Sequence, residues 1–171
     1  SGGMIVMDED DCMVAMAQFY LGFTVEESCG KCSPCRIGNK RLFEILNKIT
    51  SGKGTEEDLR KLRDLGQVIK DTSLCGLGQT SPNPVLSTLD NFYDEYVAHV
   101  TEQRCPAHQC RDLTVYYINP KKCTGCTLCA HVCPVHAIVG ERKATHIIDP
   151  NICIRCGSCL EKCRFGAIYV Y

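Results

Sequence analysis

The chain has 171 residues, enough for one large domain or two small ones. Its 19 Lys and Arg balance 20 Asp and Glu, which excludes a global basic field of the kind that grips nucleic acid or an anionic membrane. Fifteen cysteines, about 9% of the chain, far exceed ordinary usage and need a role. No run approaches the ~18 continuous apolar residues of a spanning helix. The N-terminal SGGMIVMDED lacks the basic and apolar regions of a secretory signal.

Residues 1–11 read as a Gly turn and a short unpartnered strand, the tail of an upstream domain. From Cys12 to Thr24, Val14, Ala15, Met16, Phe19, Tyr20 and Phe23 suit one helix. Residues 26–38 form a Cys/Gly/Pro loop, and Asn39 to Thr50 a helix with Leu42, Ile45, Leu46 and Ile49 at three- and four-residue spacing. Thr55 caps the next helix, with Asp58 completing an approximate capping box, and Leu59, Leu62, Leu65, Val68 and Ile69 along it. A second Cys/Gly/Pro loop covers 73–84. A last helix from Val85 to Val100 presents Leu86, Leu89, Phe92, Tyr93 and Tyr96. The expected fold class is α+β: a small four-helix bundle over 12–100, a connector over 101–112, and a second domain over 113–171.

That second domain repeats itself. YYINPKKCTGCTLCAHVCPVHAIV and HIIDPNICIRCGSCLEKCRFGAIYV align without a gap, Cys123 falling on Cys153. Each copy reads strand, Asn/Asp-Pro turn, cysteine loop, short helix, strand. Neither is large enough to bury a core alone.

An odd cysteine count excludes a complete set of internal disulfides. Eleven of the fifteen fall in three tight groups with Cys-x2-Cys-x2-Cys spacing. Such close neighbours pair poorly with one another but converge well on one metal centre. The chain is therefore read as a metalloprotein of a reducing, cytoplasmic compartment, against the alternative of a disulfide-rich secreted protein. Structural zinc competes for any CxxC pair, but the duplicated x2-x2-x3 spacing favours iron–sulfur cubanes.

Cys123, Cys126, Cys129, Cys133-Pro134 and, thirty residues on, Cys153, Cys156, Cys159, Cys163 resemble a bacterial ferredoxin with two 4Fe-4S clusters. The resemblance implies one cluster on Cys123, Cys126, Cys129 and Cys163, and the other on Cys153, Cys156, Cys159 and Cys133. Cys163 departs from the pattern in being followed by Arg164 rather than Pro. ESCGKCSPCRIG (27–38) with SLCGLG (73–78) resembles the C-terminal iron–sulfur bundle of the NADH-binding flavin subunit of respiratory complex I. This resemblance implies a third 4Fe-4S cluster on Cys29, Cys32, Cys35 and Cys75. Lys31 and Arg36 beside it either offset cluster charge or are simply solvated.

The two modules in this order are similar to the beta subunit of multimeric FeFe hydrogenases, electron-bifurcating ones included, and to NAD-dependent formate dehydrogenases. The resemblance implies an electron-transfer region of a larger NAD-linked oxidoreductase. FMN and NAD(H) would lie in an upstream domain, with ferredoxin and other hydrogenase-type subunits as partners. No catalytic residues are expected within these 171 positions, and no nucleic acid or membrane span.

Three thiols remain: Cys12, Cys105 and Cys110. An up-down bundle brings its first and last elements together, so Cys12, His99, Cys105 and Cys110 form a candidate tetrahedral zinc site. His108 competes with His99 for the nitrogen position, and three free thiols or a Cys105–Cys110 disulfide are the alternatives. His131, His136 and His146 are expected at the surface.

Overall fold

The computed structural model describes residues 5–171; the strand expected at the N-terminus lies partly outside them, and residues 5–8 take no regular structure. The chain is mixed and helix-rich, with two small sheets, and divides into two compact units, one ending at Leu113 and one of Thr114–Tyr171. The segment read as a connector, 101–112, lies within the first unit because Cys105 and Cys110 are buried in its core. Among the described residues no helix is long and apolar enough to cross a membrane.

In the first unit, α1 (Met13–Glu26) is capped by the Cys12 sulfur, which accepts the Ala15 N–H at 3.4 Å. It buries Val14, Ala17, Leu21 and Thr24, a stripe at three- and four-residue intervals. Phe19 and Phe23, part of the apolar pattern that marks this helix, are 66% and 59% exposed because they lie round the helix from that stripe. α2 (Asn39–Thr50) continues directly from a wide π-type turn, Pro34–Gly38, where the sequence suggests only loop. α3 (Glu56–Thr72) follows, then the short α4 (Gly76–Thr80) and α5 (Asn83–Asn91). Gly66 admits α5 closely to α3: a Cβ there would stand 3.0 Å from Leu86 Cδ2.

The single helix expected over Val85–Val100 is broken. After Phe92 (φ −130°, ψ 36°) the chain resumes as α6 (Tyr93–Val97) and widens into a second π-type turn, Ala98–Glu102. The break turns Tyr96 inward, where its hydroxyl meets that of Thr88 at 2.7 Å, and leaves Phe92 and Tyr93 partly exposed. Burial raises the Tyr96 phenol above its ordinary range.

The second unit interlocks its two copies. β1 (Tyr116–Ile118), from the first copy, pairs antiparallel with β4 (Ile168–Val170), from the second; β2 (Ile138–Val139) pairs with β3 (Ile147–Ile148). The short helices α7 (Leu128–His131) and α8 (Ser158–Lys162) pack together. The repeat extends to backbone conformation. Positive φ occurs at Gly125 and Arg155, at Thr127 and Gly157, and at His136 and Gly166, each pair related by the same offset.

The cap on α3 is complete: Thr55 accepts from the Asp58 N–H, and Asp58 accepts from the Thr55 N–H at 2.8 Å and from Lys48 at 2.5 Å. Burial alone would raise the Asp58 carboxyl, but Lys48 and Thr55 outweigh it and hold it below its ordinary value. That contribution to stability is therefore full at neutral pH and lost as pH falls through the depressed value. Thr55→Ala should cost about 1 kcal/mol in urea unfolding, and Asp58→Asn should flatten the acid limb of stability against pH.

Candidate metal centres

The most compact group of possible ligands joins distant parts of the first unit. Cys12 caps α1, His99 sits in the π-type turn after α6, and Cys105 and Cys110 follow; all four are buried, with ligand atoms within 4.8 Å of one another. Sγ of Cys12 and Cys110 are 3.8 Å apart, and His99 Nε2 lies 3.3 Å and 3.4 Å from them. A tetrahedral ion with Zn–S of about 2.3 Å separates its sulfurs by roughly 3.8 Å. His99 Nδ1–H donates to the Glu95 carbonyl at 2.7 Å, which turns the Nε2 lone pair toward the thiols. His108 is exposed and outside the group.

Without a cation this cluster is electrostatically awkward. Burial disfavours a charged His99, yet hydrogen bonds to Cys105 and Cys12 raise it to about 10. Hydrogen bonding with Cys110 pulls the Cys105 thiol down, and the same contact pushes Cys110 up. Thiolates in a dry site repel one another, and a divalent ion relieves that. The residues fit zinc.

The second group is built on two loops. Cys29, Cys32 and Cys35 lead into α2, and Cys75 precedes α4. A backbone hydrogen bond from Leu74 is the main cause lowering the Cys32 thiol, so the two loops meet there. The approach depends on Gly78, where a Cβ would lie 2.6 Å from Ser73 Cβ and 3.2 Å from Cys35 Cβ. Cys35 Sγ accepts from Asn39 Nδ2 at 3.4 Å and lies 3.4 Å from Ser28 Oγ, while Asn39 Oδ1 accepts the Ser81 hydroxyl at 2.8 Å. The buried Ser73 Oγ has no partner among the described residues, a polar atom left over beside the cysteines. Arg36 donates to the Gly30 carbonyl at 3.2 Å, folding back over the ligand loop, and Lys31 is exposed.

In the second unit two small cavities separate the eight cysteines into crossed sets. One is lined by Cys123, Cys126 and Cys129 with Cys163, the other by Cys153, Cys156 and Cys159 with Cys133. Three come from one copy and the fourth from the other each time. Backbone N–H groups point at sulfur: Ala137 to Cys133 at 3.2 Å and Ala167 to Cys163 at 3.3 Å. Burial raises Cys129, and raises Cys159 to about 11, a cost that bound iron removes by drawing out the thiolate. Thiol sets in apolar cavities with N–H donors suit cubanes. Arg164 does not disturb the turn: Gly166, three residues after Cys163, has φ 54°, and His136, three after Cys133, has φ 52°.

His131 and His136 are exposed as expected, but His146 is not. It is 1% exposed, lines the cavity of Cys123, and has a buried Nε2 without a partner among the described residues. Reading it as a surface residue overlooks its equivalence to Tyr116 in the repeat; Tyr116 lines the other cavity.

Residues 15–99 match the NADH-ubiquinone oxidoreductase-F iron-sulfur binding region, and residues 122–168 match the 4Fe-4S dicluster domain. The chain carries two iron–sulfur regions in tandem. Over 168 residues, 98% of the chain, it is 61% identical to the NADP-reducing hydrogenase subunit HndC of Solidesulfovibrio fructosivorans, of which it covers 34%. Over 101 residues, 59% of the chain, it is 41% identical to the F subunit of the NADH-quinone oxidoreductase of Mycobacterium tuberculosis, covering 23% of it. A crystal structure of an NAD+-reducing NiFe hydrogenase in the H2-reduced state superposes with TM-score 0.54 at 31% identity, covering 56% of this chain and 16% of that one. The chain thus spans about a third of the hydrogenase subunit, and the relatives are parts of oxidoreductases by name.

The first ligand loop of the dicluster region is sensitive at Gly125. Gly125 has φ 67°, and a Cβ there would stand 2.5 Å from the Ala144 backbone N and O. Gly125→Ala should lower the iron content of anaerobically purified protein relative to wild type.

Proposed function

We propose that this chain is the electron-relay region of a NAD(P)H- and flavin-linked oxidoreductase subunit of hydrogenase type. The observation that carries this reading is one of extent. The likeness to the hydrogenase subunit runs through both iron–sulfur regions, whereas the likeness to the quinone-reductase subunit covers about the first 60% of the chain. The alternatives are the same role in an NAD-dependent formate dehydrogenase or a ferredoxin:NAD(P) reductase, or a structural iron–sulfur and zinc interaction module. Electron bifurcation, FMN and NAD(H) upstream, ferredoxin and hydrogenase-type subunits as partners, and a cytoplasmic setting all belong to the proposal.

Three 4Fe-4S clusters would be held by Cys29, Cys32, Cys35 and Cys75; by Cys123, Cys126, Cys129 and Cys163; and by Cys153, Cys156, Cys159 and Cys133. Bound cubanes of this kind supply one-electron transfer. The chain's own residues fix where they sit. The core of α1, α2, α3 and α5 holds the two ligand loops of the first site together, Asn39 donates to Cys35, and the Ser28 hydroxyl lies beside the same sulfur. In the dicluster region, crossed strands and N–H···S bonds set the surroundings of each site.

Cys12, His99, Cys105 and Cys110 would hold zinc as a structural clasp, tying the segment after α6 to the start of α1. A closed set of three thiolates and one imidazole leaves no open position for chemistry.

Two experiments test these readings. Anaerobic analysis should find about twelve iron, twelve sulfide and one zinc per chain, with three centres reducible by EPR; zinc alone, or clusters that never reduce, would move the chain to a structural role. His99→Ala should abolish zinc, leave iron unchanged and lower stability by more than about 2 kcal/mol. Equal zinc in wild type and variant would refute the clasp.

A further inference from the structure

Neutral polar side chains surround the thiols of the first unit, and one of them is left over. The Ser81 hydroxyl donates to Asn39 Oδ1 at 2.8 Å, Asn39 Nδ2 donates to Cys35 Sγ at 3.4 Å, and Ser28 Oγ lies 3.4 Å from the same sulfur. Ser73 differs. It is 4% exposed, and its Oγ is buried without a partner among the described residues. A buried hydroxyl in that state costs about 1–3 kcal/mol, and such an atom calls for an explanation.

The local backbone does not supply one. The Ser73 N–H donates to the Ile69 carbonyl at 3.1 Å, closing the end of α3, and the Ser73 carbonyl accepts from Gln79 Nε2 at 3.1 Å. Both main-chain groups are thus satisfied, and the hydroxyl caps nothing. The pinned backbone instead holds the side chain against the ligand loops. A Cβ on Gly78 would stand 2.7 Å from Ser73 Oγ and 3.2 Å from Cys35 Cβ, so the two residues close on the same point. Cys75 follows two positions later, and the intervening Leu74 N–H hydrogen-bonds Cys32. The segment 73–75 therefore brings to one place a thiol, an amide directed at sulfur, and a hydroxyl that lacks an acceptor among the described residues.

We propose that the Ser73 hydroxyl donates to a sulfur of the cubane that Cys29, Cys32, Cys35 and Cys75 would hold, and so helps to set the potential of that cluster. The inference rests on the reading of this site as a 4Fe-4S centre, given above. Four cysteines supply one ligand to each iron, so no corner is open to Oγ. Sulfur at such a site accepts hydrogen bonds. The serine keeps its proton throughout, so the contact is neutral and does not change with pH. One-electron reduction adds negative charge to the cluster, and a hydrogen bond to a more negative acceptor is stronger. The donor therefore favours the reduced cluster and raises its potential.

The test uses the whole chain, purified anaerobically, as wild type and Ser73→Ala. Iron and sulfide analysis comes first and separates the two claims: wild-type protein with about eight irons and no third reducible centre defeats the reading of a cubane at this site, whatever Ser73 does. With three centres loaded, EPR-monitored redox titration should show one of them shifted to lower potential in Ser73→Ala. The expected size is about threefold in its reduction constant, or roughly 28 mV for one electron at about 59 mV per tenfold. The other two centres stay fixed and serve as internal controls. Deuteron double-resonance spectra of wild type transferred to D2O should show an exchangeable coupling to the shifted centre that Ser73→Ala lacks. An unchanged potential in Ser73→Ala would overturn the proposal, as would equal shifts in all three centres or an exchangeable coupling that survives the substitution unaltered. Absence of any exchangeable coupling in the wild type overturns it even where Ser73→Ala fails to take up its third cluster.

Discussion

Thiols gathered in a buried space form an unstable arrangement unless a cation sits among them. Burial raises Cys129 and Cys159 toward the neutral form, thiolates held close repel one another, and no disulfide joins any two of the described cysteines. The architecture follows from that constraint. The strands are only two or three residues long, and the irregular backbone between the elements brings sulfurs to common points. The two π-type turns occur where Cys35 and His99 must be aimed, a single widened turn re-directing a side chain that regular α geometry would send elsewhere.

Much of this is legible in the amino-acid sequence. Cysteine spacing alone separates the chain into its two kinds of cluster motif, and the 30-residue repeat announces two matching halves. The quartet of Cys12, His99, Cys105 and Cys110 follows from counting leftover thiols and asking where the ends of a helical bundle meet; the fold gathers those four residues within ligand distance. A place at a helix end favours His99 over His108, and His99 is the imidazole of the group.

What stays hidden has physical reasons. Periodicity locates α1 but does not say which face is buried, and Phe19 and Phe23 lie exposed, because a helix of nearly uniform apolarity carries no directional signal. The break at Phe92 is a tertiary matter: Tyr96 is drawn inward to Thr88, and no local preference forecasts it. His146 escapes notice because a solitary histidine in a polar turn looks like surface. Its position relative to Tyr116 holds the clue, and only the crossed packing gives that clue meaning.

The crossing has a consequence for how such a domain comes into being. The cavity around Cys123, Cys126 and Cys129 gains its fourth wall from Cys163, and β1 finds its partner only in β4. A ribosome delivers these parts in sequence, so the first half emerges with no pocket to offer and a row of bare thiols. Neither half matures ahead of the other. Metal loading then falls after synthesis of both copies, and the interval before it is when the thiols are most open to oxygen and to the wrong metal.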